Sequence, residues 1–271
     1  MGKHHSGHKH QGSAQKQSDV HGNIIVQGDH NYRKNVEYYL GILGHTRTGR
    51  ALVTHIQRKT TSSMTIMLYE KSDENAYAKP VGGNWQNAYV KNVDETWTDS
   101  SGNIQHFTGK GGGDSTEVHF SPERFQHTGG AGEFPSAILL HEMVHGLRQM
   151  LGYMNINAAT DPDTVSKCYD NQEEFYAILL ANIYSSEKYP HRPLRANHHG
   201  FAPLHSYKSM DAEHAQKLSV AFVANKRSFA LIDQFVHQEP SLCYDLGKDK
   251  RLHAPFNPIR DYFTVTADTL E

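Results

Sequence analysis

The sequence predicts an α+β fold, and three observations carry that expectation. Short apolar runs suited to strands lie within the first 120 residues, longer stretches with helical apolar periodicity dominate from residue 135 onward, and turn-forming Gly and Pro residues separate them. The expected architecture is a small mixed sheet, one apolar central helix, and a mostly helical C-terminal part.

Residues 1–22 (MGKHHSGHKHQGSAQKQSDVHG) are almost free of apolar side chains, a composition expected of a disordered leader. Gly2 with Ser6 fits the myristoylation pattern, so a weak lipid anchor through Gly2 stands beside the plainer reading of a solvated tail. One domain is expected from 23 to 271. It begins on the β-branched run Ile24-Ile25-Val26, and a helix follows from about Tyr32 to Leu43 with Val36, Tyr39, Leu40 and Leu43 on one face. Gly49 opens a second helix over Arg50 to Arg58, and Met64 to Tyr69 reads as a strand. Residues 80 to 116, with Gly82-Gly83 and Gly111-Gly112-Gly113, read as hairpins and a flexible loop. Thr116 to Phe120 is a strand stopped by Ser121-Pro122.

Pro135 suits a first helical turn, and Ser136 to Met150 follows as a helix ended by Gly152. After a loop with Asp161-Pro162-Asp163, a second helix runs from about Asn171 to Ser185, capped by Asp170 or Asn171. Further helices are expected at 211–224 and 228–237, then an irregular end marked by Pro240, Pro255 and Pro258.

Composition excludes several function classes. The net charge of −2 leaves no basic surplus for a phosphate backbone, so no nucleic-acid partner is expected. Cys168 and Cys243 are too few for a disulfide scaffold or a cysteine-based zinc site, which favours a reducing compartment. No 18-residue apolar run and no Sec-type signal are present, so neither a membrane span nor that export route is expected. A monomer is expected.

His141-Glu142-Met143-Val144-His145 carries the chemistry. At 3.6 residues per turn its two imidazoles project from one helix face about a turn apart and can share one cation, while Glu142 lies about 100° around the helix, beside that pair. Zinc acidifies water, and a carboxylate so placed serves as general base toward a carbonyl. By chance the pattern arises about 0.08 times in a chain of this composition, so the motif alone decides little. Its context decides more, because Ala137-Ile138-Leu139-Leu140 and Met143-Val144 make an apolar helix in which two His and a Glu are costly without a metal.

A third protein ligand is required, and the metzincin continuation is absent, with Arg148 and Leu151 where that pattern has Gly and His. Adjacent carboxylates Glu173 and Glu174 follow 28 and 29 residues after His145 in an otherwise apolar segment. This resembles the gluzincin arrangement, whose third ligand is a Glu on a following helix; Glu174 with Ala177 matches its Glu-x-x-Ala form. Glu173 stays open, because clostridial neurotoxin light chains pair two adjacent glutamates, the first binding zinc and the second orienting an Arg. Against both stands a solvated Glu pair favoured by a helix N-terminus. For the oxyanion donor the candidates are Arg260 and Tyr262, similar to an Arg and Tyr near the end of those light chains but with spacing one residue shorter. Asn197, His198 and His199 lie in an expected surface loop that can reach the cleft, and His119 is a strand residue that can line it.

The order of Gly22-Asn23 before a strand, Gly49-Arg50-Ala51-Leu52 opening a helix, His141-Glu142-Met143-Val144-His145-Gly146-Leu147-Arg148 and the Glu-Glu helix resembles the NleD-type bacterial effector zinc metallopeptidases over about residues 22 to 185. The resemblance implies a zincin that binds one zinc ion, is delivered without a Sec signal into a host cell, and cleaves a host protein. A cytoplasmic protein is the alternative location. A metal-stabilised binding module without proteolytic activity is the alternative function, discriminated by Glu142, which a purely structural site does not need.

Overall fold

The computed structural model describes residues 17–58, 61–71, 75–98, 102–125, 130–157, 169, 171–197, 203–204 and 211–268. Strand β1 (Gln17–His21) turns through Gly22 and Asn23 into β2 (Ile24–Gly28), pairing His21 with Ile24 and Gln17 with Gly28 in an antiparallel ladder. Regular structure therefore begins by Gln17, inside the stretch whose composition suggests a leader. A polar edge strand has no apolar alternation to betray it, and its one sequence signal is the two-residue Gly-Asn connection.

Helices α1 (His30–Gly44) and α2 (Arg47–Gln57) carry the chain from β2 to the parallel strand β3 (Met64–Met67). Asp29 caps α1 by accepting from the Tyr32 amide at 2.8 Å. Thr46 caps α2 through the Gly49 amide at 3.1 Å, so α2 starts three residues before the expected Arg50. The carboxylate of Glu187 accepts from the Arg47 and Thr48 amides at 2.6 and 2.9 Å, a favourable anion at a helix N-terminus.

The sheet order is β1-β2-β3-β7-β4. β7 (Thr116–His119) runs parallel to β3, and β4 (Tyr77–Pro80) closes the far edge antiparallel to β7. Ile24, Val26, Met64, Ile66 and Val118 alternate inward from it and are fully buried. Between β4 and β7 lie the short α3 (Trp85–Ala88) and a separate hairpin, β5 (Asp94–Thr98) with β6 (Ile104–Thr108), in line with the hairpins expected there. A small apolar cluster of Ala88, Tyr89 and Met154 joins this region to the chain after the central helix.

That helix, α4 (Pro135–Leu151), begins on the expected proline and ends at Gly152 in the left-handed region. It is buried along nearly its whole length, packed between the sheet and α5 (Gln172–Lys188). Gly113 (φ 68) holds the neighbouring loop against its C-terminal end, where an added Cβ would lie 2.0 Å from the Met150 carbonyl oxygen. Gly113→Ala is therefore expected to cost at least about 1–2 kcal/mol, read as a lowered urea midpoint. If that midpoint holds, the loop is not locked to α4.

Four further helices follow: α6 (Ala212–Ala224), α7 (Lys226–Gln238), α8 (Pro240–Lys248) and α9 (Pro258–Asp268). The irregular end expected from Pro240 and Pro258 is therefore incorrect. Each proline opens a helix, where its missing amide and fixed φ cost nothing. These helices cover the outer face of α5, with Phe222 stacked on Phe175 and Phe235 on Tyr176 at ring separations of 5.8 and 5.0 Å. Among the described residues, no helix is long and apolar enough to cross a membrane.

Candidate metal centre

The four-residue spacing of His141 and His145 brings their Nε2 atoms to 3.1 Å. Gly146, next along α4, allows the helix to approach the sheet: a Cβ there would lie 2.6 Å from Met64 Cε and 3.0 Å from Thr116 Cγ2. Asn171 caps α5 through the Glu174 amide at 3.0 Å, which places Glu174 in the first turn, facing α4. Its carboxylate oxygens stand 3.2 Å from His141 Nε2 and 3.4 Å from His145 Nε2.

Bonds of 2.0–2.1 Å to a tetrahedral zinc put ligand atoms about 3.3–3.4 Å apart. The closest approaches are of that order, with His141 nearest one Glu174 oxygen and His145 nearest the other, and one ligand atom from each of the three residues lies within 4.8 Å of the others, so His141, His145 and Glu174 form a group able to hold one metal ion. A cation between these converging lone pairs would satisfy all three at once.

Electrostatics agree. Burial lowers the His141 imidazole to about 3 against the pull of Glu174. Burial also works against charge on His145, but Glu174, helped by Glu142 and Glu173, lifts it to about 9. Glu174 is opposed by burial yet held far below the usual carboxylate range by the two histidines. Glu142 is buried beside the triad, and burial raises its carboxyl to about 7 against the lowering effects of His145, Arg195 and a hydrogen bond from the Ala78 backbone.

Glu173 does not join the histidines. It takes Arg148 Nε at 2.7 Å and Nη2 at 2.9 Å, and accepts the Asn155 amide at 2.8 Å. Adjacent helical residues point about 100° apart, so one glutamate faces the triad and the other Arg148. Of the two adjacent glutamates it is thus Glu174, the first choice from sequence, that stands with the histidines, and Glu173 that holds an arginine, the reverse of the neurotoxin-like order.

Arg260 and Tyr262 lie on α9 and are engaged elsewhere. Arg260 donates to Asp261 at 2.8 Å, Gln216 at 2.7 Å and the Ala254 carbonyl at 2.9 Å, and the Tyr262 hydroxyl donates to Asp233. The cation the structure brings toward the triad is Arg195, which is 5% exposed and electrostatically coupled to Glu174 and Glu142. Asn182 clamps its backbone from both sides at 2.8 Å, and its Nε donates to the Asn197 carbonyl at 2.7 Å. In the sequence this loop is marked by Asn197 and His198, and nothing local distinguishes Arg195. His198 and His199 lie outside the described residues. His119 is half-buried, stacked on Tyr77 at 4.4 Å with Glu117 at 3.2 Å.

A cavity of about 230 Å³ opens beside the triad, lined among others by Tyr77 and Ala78 of edge strand β4, by Glu142 and His145, and by Met154 and Ile156. A group of residues able to hold a metal, a raised carboxyl and an adjoining cavity at a sheet edge are the parts a hydrolase needs. No curated protein matches the chain significantly. Residues 21–203, two thirds of the sequence, match the model of the Peptidase M91 family, described as effector protein, and the matched span holds α4, α5, both histidines, Glu142, Glu174 and Arg195. The chain is therefore a member of the M91 peptidases, the NleD-type family of effector proteins.

Proposed function

We propose that this peptidase is a zinc-dependent endopeptidase with a zincin-type site, delivered into a host cell and acting on a host protein. His141, His145 and Glu174 are the metal ligands and Glu142 the general base. The observation that carries the reading is the triad's spacing of 3.1, 3.2 and 3.4 Å with a buried carboxyl beside it. The catalytic unit runs from the N-terminal strands through α9.

Zinc, when bound, supplies Lewis-acid polarisation of a peptide carbonyl and acidification of water. Glu142, with its carboxyl brought to about 7, can take the proton of the attacking water and return it to the leaving amine. The guanidinium of Arg195 supplies fixed positive charge toward the oxygen that becomes negative. Edge strand β4, beside Glu142, offers backbone groups to an extended substrate. A structural zinc site closes with four protein ligands, whereas three converge here among the described residues.

The test is terminal-amine labelling of host-cell lysate. New N-termini are expected with zinc-loaded protein, lost on chelation and restored by zinc; none from folded, zinc-loaded protein would contradict the proposal. On the substrate so identified, Arg195→Gln is expected to lower kcat about tenfold, roughly 1.4 kcal/mol, at unchanged zinc content. An unchanged kcat would remove Arg195 from the oxyanion role.

A further inference from the structure

We infer that the buried Arg148–Glu173 ion pair is the positioning device that sets the Glu174 carboxylate opposite the two histidines; this rests on the metal reading above. The ligands come from two helices, α4 and α5, and 20 residues of chain (152–171) separate them. A connection of that length constrains the relative register of two helices weakly. Asn171 fixes only the local start of α5. Apart from the contacts of Glu174 itself with the two histidines, the first turn of α5 is tied to α4 at Glu173, next to the ligand.

Arg148 stands three residues after His145, one turn further along α4, and is fully buried. Its fork grips both oxygens of Glu173, and its Nη2 also donates to the Tyr153 carbonyl at 2.6 Å. The planar fork fixes direction as well as distance, which a lysine cannot do. Its guanidinium carbon lies 4.4 Å over the Tyr176 ring and 5.7 Å from that of Phe235. Phe235 belongs to α7, beyond the residues 21–203 that match the family. The C-terminal helices thus brace the pair that orients the third ligand, and so contribute to the metal site without touching it.

The experiment measures zinc affinity by chelator competition, with metal-free unfolding temperature alongside, for full-length wild type, Arg148→Lys and the double variant Arg148→Met/Glu173→Gln. The double variant removes both charges together, which spares the fold a stranded ion, and its glutamine keeps an acceptor for the Asn155 amide. Loss of an outer group that orients a ligand weakens metal binding about 10–100-fold. That weakening is expected in the double variant, with a smaller loss in Arg148→Lys, while the metal-free unfolding temperature of the double variant stays near wild type. Wild-type affinity in a folded double variant would overturn the positioning role and leave the zinc site standing. Absence of zinc binding in wild type would overturn both. Should the double variant fail to fold, Arg148→Lys decides, since the lysine keeps the charge and loses only the fork.

Discussion

Glu142→Gln is expected to lower kcat/KM by about 10²–10⁴-fold, nearly all of it in kcat, with zinc content and fold retained. The glutamine is isosteric and can still accept the hydrogen bond from Ala78, so packing under β4 is unchanged. What it cannot do is take a proton. Because burial already strains the charged form of Glu142, raising its carboxyl to about 7, the neutral amide should not destabilise the metal-free protein. Equal activity in the variant would mean that the carboxyl is a packing group and that the proton acceptor lies elsewhere.

Arg148→Met is expected to destabilise the metal-free protein by about 3–5 kcal/mol, measured by urea unfolding in chelator. The cost comes less from the lost ion pair than from what stays behind. Glu173 is 1% exposed, and without Arg148 its negative charge is left with the hydrogen bond from the Asn155 amide. Adding Glu173→Gln should recover most of the loss, because the buried charge then disappears with its partner. A single variant as stable as wild type would show that water reaches Glu173 and that the pair is not a sealed interior contact.

The parts of this site that could be read from sequence are those set by local geometry. His141 and His145 share a face because they sit four apart on a helix whose apolar run and flanking Pro135 and Gly152 are explicit. Glu142 follows from the same turn. The choice between Glu173 and Glu174 is not legible in the sequence, because it depends on how α5 is rotated against α4, across which Arg148 holds Glu173. Arg195 stands 50 positions beyond His145, and only the clamp by Asn182 and the fold of α5 bring it to the triad. Arg260 and Tyr262 rested on likeness to another family, and α9 occupies them with Gln216 and Asp233. The helical end was hidden for a different reason: Pro240 and Pro258 are equally consistent with a break and with a first helical turn, and the difference lies in the apolar face that follows each.

The central claim is that one metal is held by two imidazoles and the second of two adjacent glutamates. Zinc per chain by elemental analysis after gel filtration tests it most directly, since that step strips metal held loosely by the histidines at 4, 5, 8 and 10. One zinc is expected in wild type and in Glu173→Gln, whose weakened site still holds the ion through all three ligands. None is expected in His141→Ala, His145→Ala or Glu174→Gln. Zinc retained in Glu174→Gln and lost in Glu173→Gln, or no zinc in the zinc-supplied wild type, would contradict the account.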